Sequence, residues 1–80
     1  MSENINKLRW RCRRGTLELD LILLRYLENR YLTADSREQQ TFLELLDLED
    51  SDLMRYLMGE QSPADADLAD LVALMRALPA

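Results

Sequence analysis

Helix-favouring side chains dominate this chain, and strand-favouring ones are scarce. Among its 80 residues are only two Ile, one Val and three Thr, whereas Leu, Glu, Ala, Arg and Met are abundant. β-Branched residues suit a pleated sheet, while unbranched residues lose little side-chain freedom in a helix. A chain of this length also forms at most one small domain with a limited core. The sequence therefore predicts an all-α fold, with a single helical domain over residues 1–80.

Apolar residues recur at helical spacing in five segments. The predicted helices cover roughly residues 4–13, 17–31, 35–48, 51–58 and 66–78. Asp35 and Glu38 have the spacing of a capping box, and Asp65 is a second N-cap candidate. Gly59 and Pro79 are the expected stops of the fourth and fifth helices. Short connections predict near-antiparallel neighbours in a compact five-helix bundle. Its expected core includes Leu24, Leu27, Phe42, Leu46, Leu57 and Leu71.

Two residues of the first two helices need a special explanation. Trp10 lies off the apolar stripe of the first helix, yet a lone Trp in a small domain is usually buried. Trp10 is therefore either exposed beside Lys7 and Arg14 or packed against a later helix, and we expect it to pack into the core or into a groove. The second helix is apolar nearly all round, which predicts a central position. Asp20 shares an apolar face of that helix, where a carboxylate needs a partner. The predicted donors are the arginines before Gly15, unless Asp20 caps the helix.

The composition excludes most catalytic chemistry. The chain has no His and a single Cys, Cys12. It therefore lacks the commonest general base and the commonest metal ligand, and it cannot form an internal disulfide. The two glycines, Gly15 and Gly59, are too far apart for a phosphate-binding loop. We interpret the chain as a non-enzymatic interaction protein.

Charge is distributed unevenly along the chain. Residues 1–14 contain five basic side chains and one acidic one, for a net charge of +4, whereas the remainder holds five basic and 14 acidic ones, for −9. Those arginines are either solvated or paired with the acidic body, and the sequence leaves both open. No segment approaches the roughly 20 apolar residues that span a bilayer, and the N-terminus lacks the plan of a signal peptide. We therefore expect a cytoplasmic protein.

The turn between the first two helices combines charges of both signs with a bare glycine. Residues 13–20 read Arg-Arg-Gly-Thr-Leu-Glu-Leu-Asp. Cations suit the end of one helix and anions the start of the next. Gly15 permits a positive φ and the close approach of another backbone. An ordinary helix–helix corner would use the same residue types, so spacing alone does not identify a binding site.

These residues resemble the signature of a known family. Residues 14–18 fit R-G-x-x-E, as in the small succinate dehydrogenase assembly factors that promote covalent flavin attachment to the flavoprotein subunit. Residues 50–53, Asp-Ser-Asp-Leu, followed by Tyr56 and Leu57, resemble the family's second signature. The Pro-Ala-Asp at residues 63–65 also fits. Tyr56 departs from the pattern, because family members usually have Trp there.

The resemblance implies an assembly chaperone whose nucleophile and flavin both belong to its partner. It would bind the flavoprotein subunit of succinate dehydrogenase, with that of fumarate reductase as a second candidate client, and favour the conformation in which FAD bonds to a histidine of that subunit. The chain itself would bind no cofactor stably, no nucleic acid and no membrane, and it is expected to be a monomer. Arg14 would offer a planar charged fork to carboxylate or carbonyl groups, and Glu18 would receive a partner cation or orient Arg14. The implied partner-binding residues are Arg13, Arg14, Gly15, Glu18, Asp20, Asp52 and Tyr56.

Two rival functions come from other classes. A small regulatory adaptor, antitoxin-like or transcription-associated, would use the basic ladder of Arg9, Arg11 and Arg13. The acidic body and a pI near 4.6 oppose this reading, because they repel phosphates. A hydrolase using only Glu18 and Asp20 is remote, because side chains at i and i+2 point to different sides of a helix.

Overall fold

The computed structural model describes residues 5–78, which form five α-helices and a short 3-10 turn. The elements are α1 (Ile5–Cys12), α2 (Leu17–Asn29), the 3-10 turn (Tyr31–Thr33), α3 (Ser36–Leu46), α4 (Asp50–Leu57) and α5 (Ala66–Ala77). No strand occurs within the described range, and the predicted all-α fold of five helices is confirmed. The second helix ends earlier than predicted, because the chain tightens into the 3-10 turn after Asn29. The predicted start near Asn4 and the stop at Pro79 lie outside the described residues.

Local signals set three of the helix ends as predicted. The Asp35 carboxylate accepts a 2.8 Å hydrogen bond from the backbone N–H of Glu38 at the start of α3. Asp65 does the same for Leu68 at the start of α5, at 3.0 Å. Such a carboxylate satisfies one of the N–H groups that a helix start leaves without an intrahelical acceptor. Gly59 follows α4 with a φ of +80°, the conformation expected just after a helix end.

Helix α2 is central, as its apolar composition predicts. It contacts α1, α4, α5 and the 3-10 turn. The core contains Leu8, Cys12, Leu19, Leu23, Tyr26, Leu27, Tyr31, Phe42, Leu45, Leu46, Leu53, Leu57, Leu71, Val72 and Met75. Of the predicted core residues, only Leu24 lies outside the buried cluster, so that prediction is wrong. Leu24 is half-buried and packs against the edge of the cluster. On the circumference of α2, Leu24 lies on the solvent side of the buried stripe that Leu23 and Leu27 form.

Trp10 is 75% exposed, so the prediction that it packs into the core or a groove is wrong. Leu8 and Cys12 hold the buried face of α1. Trp10 lies two residues from each of them, a rotation of about 200° on a helix of 3.6 residues per turn, and therefore points away from the core.

The outer face of α2 also exposes apolar side chains, with Leu17 at 68% and Leu21 at 50% exposure.

An aromatic cluster joins α2 to α3. The ring centroids of Tyr26 and Phe42 lie 4.6 Å apart, and those of Tyr31 and Phe42 lie 5.6 Å apart. The Tyr26 hydroxyl donates a 2.6 Å hydrogen bond to the Glu38 carboxylate. Burial and this hydrogen bond both raise the pKa of Tyr26 above its ordinary value.

Candidate partner-binding site

Residues 13–16 turn the chain between α1 and α2, and Gly15 is the point of the turn. Its φ is +88°, a backbone conformation that side chains with a Cβ rarely adopt. Among residues 5–78, apart from its two chain neighbours, no heavy atom lies within 4 Å of the position that a Cβ would take. The glycine therefore serves the turn, and the space above it is open to approach from outside the chain.

Asp20 fixes this turn from the side of α2. Its carboxylate accepts a 2.6 Å hydrogen bond from the backbone N–H of Arg14. The prediction that Asp20 pairs with an arginine before Gly15 is therefore confirmed, and the donor is the backbone N–H of that arginine. The backbone N–H is available because α1 ends at Cys12, whereas the Arg14 side chain is directed elsewhere. This hydrogen bond links the residue before Gly15 to the first turn of α2 after it, and so holds the corner together.

The Arg14 side chain reaches the junction between α3 and α4. Its Nη1 donates to the carbonyl of Leu46 at 2.8 Å, and its Nη2 donates to the carbonyl of Leu48 at 2.6 Å. Its Nε donates to the Asp50 carboxylate at 2.7 Å. The Leu46 carbonyl ends α3 and the Leu48 carbonyl lies in the loop before α4, so neither has an intrahelical donor, and the guanidinium supplies one to each. With only 17% of its side chain exposed, Arg14 directs its planar fork to acceptors within this chain.

Asp50 joins the two signature segments, because its carboxylate binds the Arg14 side chain. This residue begins α4 and binds Arg14, but the sequence pattern did not single it out as a site residue. Asp52, one of the predicted site residues, pairs with Arg55 one turn further along α4. Tyr56, the other one on α4, is half-buried against the core. A carboxylate at a helix start gives no local signal that its cation lies on a distant segment, so Asp50 could not be found from the pattern.

Glu18 and Arg13 are exposed on the two sides of the corner. Glu18 lies in the first turn of α2 and forms no ion pair with any other residue between 5 and 78. The guanidinium carbon of Arg13 lies 5.9 Å from the centre of the Trp10 ring, which is the geometry of a cation–π contact. We call Trp10, Arg13, Gly15, Leu17 and Glu18 the corner face.

Most of the basic segment is neutralised within the protein. The pairs are Arg9 with Glu28 at 3.4 Å, Arg11 with Asp47 at 2.6 Å and Arg14 with Asp50 at 2.7 Å. Of the two possibilities that the sequence left open, pairing with the acidic body is confirmed for these three arginines. Two of the three residues in the basic ladder of the adaptor reading, Arg9 and Arg11, therefore already bind carboxylates.

Cys12 lies in the core beneath the corner. Burial raises the pKa of its thiol to about 11, although the neighbouring Arg14 and Arg11 act in the opposite direction. The thiol is therefore protonated at neutral pH, and a thiol is a far weaker nucleophile than a thiolate.

Across residues 5–78, no helix combines the length and the apolar character that a membrane span requires.

These features define a small protein of five helices with an open glycine corner between the first two. Residues 6–79 match the family model described as flavinator of succinate dehydrogenase. The chain belongs to this family, as the two signatures predicted.

Two relatives illustrate the similarity. The FAD assembly factor SdhE of Xylella fastidiosa is 50% identical over 76 residues, which cover 95% of this chain and 78% of that protein. The FAD assembly factor SdhE of Methylococcus capsulatus is 50% identical over 72 residues, covering 90% of this chain and 87% of that protein. The similarity therefore spans both signatures and nearly all of the helical domain.

Proposed function

We propose that this chain is an assembly factor that promotes covalent attachment of FAD to the flavoprotein subunit of succinate dehydrogenase. Membership of the flavinator family and the similarity to FAD assembly factors support this function. The observation that carries it in the structure is the open space above Gly15, beside a Glu18 carboxylate that pairs with no other described residue. A surface that the fold does not use for itself is available to a partner.

The chain acts by binding and not by catalysis. Its one thiol is buried and protonated, and it has no histidine. Binding favours the conformation of the flavoprotein subunit in which FAD bonds to a histidine of that subunit. The flavin stays on the client, and this chain holds no cofactor stably. The flavoprotein subunit of fumarate reductase is a second client, and the chain works as a cytoplasmic monomer.

The contact surface is centred on Gly15, Glu18 and Arg13. Glu18 receives a cation of the partner, and the bare Gly15 lets the partner backbone come close. Arg14 and Asp20 belong to the same surface but act by fixing its shape, because their side chains bind within the chain. Asp52 and Tyr56 extend the surface along α4. Fixing the loop before binding lowers the entropy lost on association.

In-gel flavin fluorescence of the purified apo-flavoprotein, incubated with FAD with and without this protein, tests the proposal. Glu18→Ala and Gly15→Arg are expected to remain folded and to lose stimulation of flavinylation. Glu44→Ala is the matched control, because Glu44 is an exposed glutamate on α3 that forms no ion pair within residues 5–78. Equal flavinylation with folded Glu18→Ala, Gly15→Arg and control proteins would show that the corner is only a turn.

A further inference from the structure

A cation–aromatic–cation stripe follows the outer face of α1 and continues into the corner. Lys7, Trp10 and Arg13 are spaced three residues apart, which places them along one side of the helix and its extension. All three are exposed. The Arg13 guanidinium lies over the Trp10 ring. We call these three residues the Trp10 stripe.

The charges of the Trp10 stripe differ from those of its neighbours. Arg9, Arg11 and Arg14 bind carboxylates of the body. Within residues 5–78, Lys7 and Arg13 form no ion pair. The stripe is therefore where the basic segment keeps positive charge for an outside partner, although the protein as a whole carries −5.

The aromatic ring of the stripe is apolar surface beside the proposed contact site. A single exposed apolar residue is common and needs no explanation. Trp10, however, lies just before the glycine corner, and the exposed Leu17 lies just after it, so apolar side chains flank Gly15 on both sides along the chain. Buried Trp residues rank among the strongest contributors to protein–protein affinity.

We infer that Trp10 is the anchor of the complex, inserting into an apolar pocket of the flavoprotein subunit whose rim carries carboxylates that meet Lys7 and Arg13. This inference rests on the proposed function and adds Lys7 and Trp10 to the contact surface proposed there. Charge complementarity matches the two cations of the Trp10 stripe to an acidic patch on the partner. The acidic body of this chain repels such a patch elsewhere, which orients the approach through the stripe.

Affinity measurements on the purified flavoprotein subunit test the anchor. Trp10→Ala is expected to raise the Kd about 10-fold or more, as for a buried aromatic anchor. Leu32→Ala is the matched control, because Leu32 is 73% exposed, close to the 75% of Trp10, and follows the opposite end of α2. The control should change the Kd by less than about twofold. Because both side chains are exposed, both variants should retain the wild-type melting temperature.

The single tryptophan provides a direct readout of insertion. Trp10 is the only Trp of this chain, so 5-fluorotryptophan labelling gives one ¹⁹F resonance from this protein. Binding of the unlabelled flavoprotein subunit should shift or broaden that resonance. A complex that forms with the resonance unchanged would show that Trp10 stays in solvent and would overturn the inference.

The two cations are tested through the association rate. Double neutralisation, Lys7→Gln with Arg13→Gln, should slow association severalfold and reduce its dependence on salt. The matched double neutralisation of Arg37 and Arg76, exposed cations on α3 and α5, should leave the rate nearly unchanged.

Failure of the anchor and failure of the proposed function give different results. A wild-type protein that neither binds the flavoprotein subunit nor promotes flavinylation defeats both. A wild-type protein that does both, with Trp10→Ala binding as tightly as Leu32→Ala, defeats only the anchor. Trp10-dependent binding to duplex DNA or to a second copy of this chain, with unchanged affinity for the flavoprotein, also overturns it.

Discussion

The Arg14 guanidinium and the Asp50 carboxylate meet at 2.7 Å, although 36 positions separate them in the chain. One residue belongs to the corner between α1 and α2, and the other begins α4. The ion pair, with the two carbonyls that Arg14 also binds, joins the two signature segments into one structural unit. The arginine of the motif therefore fixes the shape of the proposed partner surface from within the fold.

Replacing Arg14 should destabilise the fold more than replacing an exposed arginine does. Arg14→Ala leaves two carbonyls and a carboxylate without their donor and should lower the free energy of unfolding by about 2 to 3 kcal/mol. Arg37→Ala is the control. It removes an ion pair to Asp67 whose arginine side chain is 79% exposed, and such pairs contribute at most about 1 kcal/mol. Urea denaturation of both variants gives the comparison, and equal midpoints would contradict the internal role of Arg14.

Asp20 should stabilise the corner as a hydrogen-bond acceptor. Asp20→Ala removes the acceptor of the Arg14 backbone N–H and should cost about 1 to 3 kcal/mol. Asp20→Asn keeps a carbonyl oxygen at nearly the same place and should cost less. Melting temperatures of the two variants separate these outcomes. An unchanged midpoint for Asp20→Ala would mean that the carboxylate is merely solvated.

The stability cost of replacing Gly15 should depend on the presence of a Cβ and not on the size of the new side chain. Its positive φ makes Gly15→Ala cost about 1 kcal/mol or more. Because no described residue beyond its chain neighbours lies within 4 Å of the Cβ position, Gly15→Arg should cost a similar amount, within about 0.5 kcal/mol. Chemical denaturation of the two variants measures this difference. A much larger loss for Gly15→Arg would reveal crowding that the open corner does not contain.

Gly59 supplies the comparison for that test. It too has a positive φ, but a Cβ there would lie 2.5 Å from Nη2 of Arg76, the flexible end of a side chain that can move away. Gly59→Ala should therefore destabilise the fold at least as much as Gly15→Ala. Flavinylation should remain normal at protein concentrations corrected for the folded fraction. Loss of flavinylation in Gly59→Ala would separate the activity from the corner.

Alkaline pH should weaken the fold. Burial raises the pKa of Cys12 from about 9 to about 11, and the pKa of Tyr26 is also raised. Between these values the unfolded thiol loses its proton while the folded thiol keeps it, so stability falls as pH rises above 9. The loss should be about 1 kcal/mol between pH 9 and pH 10. Urea unfolding at a series of pH values measures it, and Cys12→Ala should flatten the curve over that interval.

The helices and their caps could be predicted because their signals are local. The apolar period of α3 and the pair Asp35 and Glu38 lie within one segment, and the structure follows them. The acceptors of Arg14 could not be predicted, because they lie 32 to 36 residues away and include two backbone carbonyls. Only the folded arrangement of α3 brings those carbonyls within reach.

The sequence contains a signal that Trp10 is exposed, but the general tendency of Trp to be buried favours the opposite prediction. Its angular position relative to Leu8 and Cys12 already pointed outward, whereas the expectation of burial came from the general behaviour of Trp. Helix geometry was the better guide, because α1 has one buried face and solvent opposite it. The proposed roles of Gly15 and Glu18 depend on the family resemblance, since their residue types alone fit an ordinary corner.

The reach of Arg14 also bears on how the chain folds. The end of α3 receives its donors from a residue 32 positions earlier, so that cap can form only after a long loop has closed and α1 is in place. Contacts of this kind tend to be missing from the folding transition state. Arg14→Ala should then accelerate unfolding and leave the folding rate nearly unchanged, as the two arms of a chevron plot would show. The same arginine that shapes the corner would thus set the lifetime of the native state.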